Sequence, residues 1–175
     1  MPSELDGTFA DFSTAYKVYY GDVERILECP WVKRLGIETV ERLREHFDAD
    51  PKRRAIADQW KANIEKYGAP TWYEWRCEHW GTKWNACYAE VTDNGDGSLH
   101  INFDTAWSFP FPIFDHLVAA FPQLLFEGSA QEPNFDFYIA FEGRNGEFTC
   151  EDDDDARQEA AAMFEDEDES TEVTA

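Results

Sequence analysis

The apolar residues of the first third of the chain recur three and four positions apart, and those of the middle third recur every second position. Ile56, Trp60, Ile64 and Tyr67 lie at helical spacing between Asp50-Pro51, an N-cap followed by proline at the first helical position, and Gly68, a helix stop. Ile37, Val40, Leu43 and Phe47 make a second stripe, and Val23, Ile26 and Leu27 a shorter one. The spacing therefore predicts packed helices over the N-terminal third. Thr71 to Trp84 carries two signals. Tyr73, Trp75, Cys77 and His79 alternate with polar residues as in a strand, whereas Thr71-x-x-Glu74 is a capping box and Gly81 a helix stop. A short helix is favoured, because the capping box satisfies N–H groups that a helix start would otherwise orphan.

Beyond Gly81 the period changes to two. Trp84 to Thr92 and Leu99 to Asp104 flank Asp93-Asn94-Gly95-Asp96-Gly97, and Leu99, Ile101 and Phe103 alternate with His100, Asn102 and Asp104. This predicts a β-hairpin with one wet face. Pro112 opens a helix with the stripe Ile113, Phe114, Leu117, Val118 and Phe121, with Asp115 in its first turn, and Pro122 ends it. Leu124 to Phe126 and Phe135 to Phe141 read as strands, the second turning Phe135, Phe137, Ile139 and Phe141 inward. Asn145-Gly146 is a tight turn into a last strand near Phe148. The order strand, strand, helix, strand, strand predicts an α+β fold, an antiparallel sheet with helices on one face. The expected organisation is a helical N-terminal region over residues 1–66, an α+β domain over 67–150 and an acidic tail over 151–175, disordered or partly helical.

Charge sharpens this picture. The net charge of -22 divides evenly: residues 151–175 hold twelve acids against Arg157, and residues 1–150 hold twenty-five against fourteen bases. Residues 67–150 alone hold twelve acids against Arg76, Lys83 and Arg144. An anionic folded surface repels nucleic acid and membrane and steers basic proteins toward it over a Debye length of about 8–10 Å. Seven Trp and fourteen Phe supply enough apolar area to order the body. No secretory signal and no membrane span are read from the sequence. Four scattered cysteines without a CxxC pair fit a reducing compartment, so a cytoplasmic location is expected.

Catalytic chemistry finds little support. Cys77, His79 and Cys87 lack a fourth ligand at a zinc spacing, the Asp93–Gly97 loop lacks the length and closing Glu of an EF-hand, and no nucleophile elbow or phosphate loop occurs. No catalytic residue, metal or cofactor is therefore expected.

The runs Lys66-Tyr-Gly-Ala-Pro-Thr-Trp72-Tyr-Glu-Trp75, His79-Trp80-Gly81-Thr82-Lys83-Trp84-Asn85-Ala86 and Phe103-Asp-Thr105-Ala-Trp107-Ser resemble the YubB-like plasmid and phage proteins. The resemblance covers roughly Tyr67 to Phe148. It implies a ferredoxin-like domain and a mobile-element origin, without an activity or catalytic residues to carry over. The N-terminal third departs from that pattern, and Phe9 to Phe12 is the segment that could supply a first strand.

Two candidate surfaces follow. Asp93, Asp96, Asp104, Asp115, Glu127, Glu132, Asp136 and Glu142 could bind a basic, nucleic-acid-binding host protein by reproducing the charge pattern of a nucleic acid, as an inhibitor of a restriction or CRISPR complex would. The same acids also serve as an ordinary solubilising face. Trp80, Lys83, Trp84, Asn85 and Trp107 are the candidate ligand or interaction site, and the alternative function is a small-molecule-binding domain or enzyme around Trp80 to Trp107, with His100 as a further polar group. Those tryptophans equally read as core. Direct nucleic-acid binding is not expected, because aromatic stacking platforms sit in basic grooves.

Overall fold

The structure is a computed structural model, and it describes residues 1–8, 13–133, 136–155 and 158. The chain divides into two compact units, residues 1–77 and 78–175.

The first unit is helical. After a 3-10 turn at Ser3–Leu5 come α1 (Ser13–Tyr20), α2 (Val23–Leu27), α3 (Pro30–Arg34), α4 (Val40–Asp48) and α5 (Pro51–Tyr67), and α6 (Trp72–Trp80) runs across the boundary between the units. The expected signals place α5 as read: Asp50 accepts from the Lys52 N–H, Pro51 is the first helical residue and Gly68 closes the end. Its buried face is turned by one residue from the expected stripe. Ala57, Trp60 and Asn63 are buried, and Ile56 and Ile64 are only half-buried. The small side chain of Ala57 lets α5 approach a core of Ala15, Val18, Ile26, Val32, Leu43 and Phe47. Asn63 is affordable inside because its amide donates to Pro70 O and its oxygen accepts from Gln59.

The ambiguous Trp72 segment is helical. Thr71 is buried and accepts from the Tyr73 N–H at 3.2 Å, and its hydroxyl donates to the Glu74 carboxylate, a variant of the expected reciprocal cap.

The second unit is α+β: β1 (Cys87–Asp93), β2 (Leu99–Asp104), α7 (Phe111–Ala120), β3 (Phe126–Gln131), β4 (Tyr138–Arg144) and β5 (Glu147–Asp152). The strands form two antiparallel sheets, a β1-β2 hairpin and a β3-β4-β5 meander. Alternation along the meander turns Phe126, Phe141, Ile139 and Phe148 to one face, which packs on α7. Phe109, buried, has the rings of Phe114, Phe141 and Phe148 at 4.9, 5.1 and 6.3 Å, and buried Val118 of α7 meets the sheet at Gly143. Asn145 and Gly146, at φ 55° and 83°, make the expected two-residue turn that pairs Arg144 with Glu147.

Five further expectations need correction. The first strand of the hairpin begins at Cys87, where Trp84 was expected. The third strand begins at Phe126, where Leu124–Phe126 was expected, and runs through Gly-Ser-Ala. Packing overrides propensity there, since a Cβ on Gly128 would lie 2.8 Å from the Phe141 ring. The fourth begins at Tyr138, leaving Phe137 outside it. Helix α7 starts at Phe111, so Asp115 falls just beyond its first turn, and Phe121 lies past its end and is exposed. The hairpin has two wet faces. Phe103 at its foot stacks on Phe114 with centroids 6.5 Å apart, but Ile101 and Leu99 are 53% and 61% exposed. At about 3.4 Å per residue, Leu99 is carried roughly 14 Å beyond Phe103. Expectations for Phe9 to Phe12, for Phe135 and for most of the tail lie outside the described residues.

Candidate functional site

Two surfaces of the second unit gather some of the residues singled out in the sequence.

The first is the outer face of the meander. Because opposed residues of a sheet share a face, the register Glu127↔Glu142↔Thr149, Ser129↔Ala140↔Glu151 and Arg144↔Glu147 turns Glu127, Glu142, Glu147 and Glu151 away from α7, all exposed. Arg144 is the one base in these strands, and its Nε lies 3.4 Å from Glu142 Oε1. Glu127 and Glu142 are directly opposed, where like charges repel. The acidic run continues from the edge of this face. Asp153 donates its N–H to Tyr138 O at 2.9 Å, and Glu151, Asp152, Asp153, Asp154 and Asp155 line a shallow hollow beside Ala140. The first residues of the acidic segment are thus fixed to the sheet.

Of the eight acids chosen from sequence, only Glu127 and Glu142 share this face. Asp93 and Asp96 sit at the hairpin tip, where each carboxylate closes the turn: Asp93 accepts from Gly95 N at 2.8 Å, and Asp96 from Ser98 N and Oγ at 2.9 and 2.7 Å. The Ser98 hydroxyl, then its N–H, holds the Asp96 carboxyl below its usual range. Asp104 lies at the hairpin foot opposite Cys87, Asp115 on α7, and Glu132 and Asp136 in the β3–β4 connection. Glu147 and Glu151 were missed. Counting outward from the Asn145-Gly146 turn, with opposed residues on one face, would have found them.

The second surface is built where the loop 80–84 meets the loop 105–109. Thr82 is buried, and its hydroxyl donates to Ala106 O at 2.9 Å and receives the Ala106 N–H at 3.1 Å. The Ser108 hydroxyl donates to Gly81 O, and the Thr105 hydroxyl to Ser108 O at 2.8 Å. Gly81 has φ 74°, and a Cβ there would lie 2.8 Å from Pro112 Cδ, so the close approach of the loops requires glycine. On this base stand Lys83, Trp84 and Trp107. The Lys83 Nζ lies 3.2 Å from the centroid of Trp107 and 4.4 Å from that of Trp84, a double cation–π contact. Trp84 is 51% and Trp107 72% exposed. Trp107 has φ 69°, a left-handed backbone that costs a bulky residue roughly 1–3 kcal/mol. Trp80 is half-buried at the end of α6, and Asn85 turns its side-chain oxygen to the Ala86 N–H. His100 lies opposite Thr92, toward the hairpin tip. The structure thus brings Lys83, Trp84 and Trp107 together.

Among the described residues no cluster of three or more His, Cys, Asp or Glu is placed to hold a metal ion, and no helix is long and apolar enough to cross a membrane.

The fold of the second unit, helix and antiparallel strands, is that of a ferredoxin-like α+β domain. The family described as the ferredoxin-like domain in Api92-like protein matches residues 79–175, more than half of the chain, and the chain belongs to it. The match begins at His79 and extends through the acidic segment. No curated protein and no solved structure matches the chain.

Proposed function

We propose that this protein binds a basic, nucleic-acid-binding protein through the outer face of its meander and the acidic run that leaves it, acting as a nucleic-acid mimic. The observation that carries the reading is Glu127, Glu142, Glu147 and Glu151 on one rigid face against a single arginine. Duplex DNA presents about one charge per 1.7 Å of axis, or roughly twelve over the ~20 Å that a six-residue strand spans. The four glutamates alone are sparse beside that, but Asp153, Asp154 and Asp155, which follow the last strand, bring the number of carboxylates to seven, between the density of one strand and of two. In a phage or plasmid setting, which the YubB-like resemblance implies, the host target would be a restriction or CRISPR complex whose nucleic-acid cleft is occluded. Association is steered electrostatically and therefore salt-dependent.

The test is capture from lysate of a defence-competent bacterium, with a salt gradient and duplex DNA as competitor. Capture of a nucleic-acid-binding protein that DNA displaces and salt releases is expected. Affinity unchanged between low and high salt would remove the reading. A second reading, a small-molecule site near Trp80 to Trp107, is favoured by the exposed indole pair.

A further inference from the structure

Trp84 and Trp107 both hold one ammonium group over their rings, 4.4 and 3.2 Å from it, on loops that a buried threonine ties together. The tie is made between Thr82 and the Ala106 backbone, so the approach of the two loops does not depend on the lysine. Trp107 keeps a left-handed backbone while leaving most of its indole in solvent, an arrangement that packing alone does not reward.

We propose that Trp84 and Trp107 form a two-walled receptor for a cationic side chain, lysine or arginine, of the basic partner, and that Lys83 is the resident occupant which such a side chain displaces. The negative faces of the indoles attract cations, and Lys83 already shows the chemistry that the walls accept. The surrounding charge favours the same choice. With twelve acids against three bases over residues 67–150, cations are concentrated near this surface and anions are repelled from it. The Lys83 ammonium makes the site self-occupied, so a partner's side chain binds at the expense of both of its ring contacts. The identity of the partner rests on the proposed function, but the receptor itself does not.

The experiment titrates the full-length protein with tetramethylammonium chloride, using sodium chloride at equal ionic strength as control, and follows the indole N–H resonances of Trp84 and Trp107. Saturable shifts of these two signals are expected, with half-saturation at least threefold lower in Lys83→Ala, where the resident cation is gone. Lys83→Gln guards against local collapse by keeping a long stem without charge, and should behave as Lys83→Ala. Trp107→Gly, which also relieves the left-handed backbone, should abolish saturation at Trp84. If the wild-type signals follow sodium chloride, or both Lys83 variants titrate as the wild type does, the receptor is overturned. Failure here leaves salt-dependent capture by the acidic face untouched, and failure of that capture leaves this titration interpretable.

Discussion

Replacing Thr82 by valine keeps the shape of a buried side chain and removes one hydroxyl. In the native protein that hydroxyl donates to Ala106 O at 2.9 Å and accepts from Ala106 N at 3.1 Å, and both residues are buried, at 4% and 6% exposure. The valine variant leaves a backbone N–H and a backbone C=O without partners in a place water does not reach. Each stranded group costs about 1–3 kcal/mol, so the pair is worth roughly 2–4 kcal/mol after some local relaxation. Thr82→Ser keeps the hydroxyl and loses one methyl, worth about 0.8 kcal/mol. The polar account therefore ranks valine as the more damaging change, whereas a packing account ranks serine worse. Because the chain has two units, a global unfolding curve is a blunt reading. Amide hydrogen exchange at Ala106 is specific: faster exchange in Thr82→Val and near-native exchange in Thr82→Ser are expected, together with loss of the Trp84 and Trp107 indole shifts described above. Thr82→Val exchanging no faster than Thr82→Ser would refute the claim that this threonine supports the aromatic pair.

Three further outcomes are expected. Gly143→Ala would place a Cβ 2.2 Å from Val118 Cγ2 and should lower stability in urea by about 1–3 kcal/mol, with much of the loss recovered in the double variant Gly143→Ala/Val118→Ala; additive losses would contradict the clash. Glu127→Gln relieves the directly opposed pair with Glu142 and should raise stability by about 0.5 kcal/mol at low salt, with the gain shrinking as salt is added; a loss would show that the acids are not in conflict. The depressed Asp96 carboxyl contributes stability that is present above its ordinary value of 3.8 and lost as pH falls through the lower folded value. The Ser98 amide resonance should therefore move to its open-turn position only below about pH 3.8, and in Asp96→Asn that acid step should be absent.

Elements whose ends are set by local chemistry were legible in the sequence. Asp50-Pro51 and Gly68 bound α5, Thr71 starts α6, and Asn145-Gly146 fixes the register of β4 and β5. Elements decided by packing were not. β3 runs through Gly128-Ser129-Ala130 because the Phe141 ring takes the space that a side chain would fill, a tertiary reason invisible in a window of sequence. The open face of the hairpin escaped notice for the same cause: alternation shows which side chains share a face, not whether another element covers it. At the candidate site, the tryptophans and Lys83 were visible as types, but their convergence depends on Thr82 and Ala106, twenty-four residues apart in sequence. The acids were visible as a total charge. Their assignment to one face needed the strand register, which brought in Glu147 and Glu151 and set Asp93 and Asp96 to closing a turn.

The central claim, that the outer face of the meander binds a basic protein through fixed carboxylates, is tested most directly by comparing three baits in one lysate: the full chain, the chain ending at Asp155, and the full chain with Glu127, Glu142, Glu147 and Glu151 all changed to Gln. Ending at Asp155 leaves β5 whole, since that strand runs to Asp152. The account predicts that the first two capture the same nucleic-acid-binding protein, with release by salt and displacement by duplex DNA, and that the four-glutamine chain loses it. Equal capture by the four-glutamine chain, or capture that depends entirely on residues after Asp155, would contradict it.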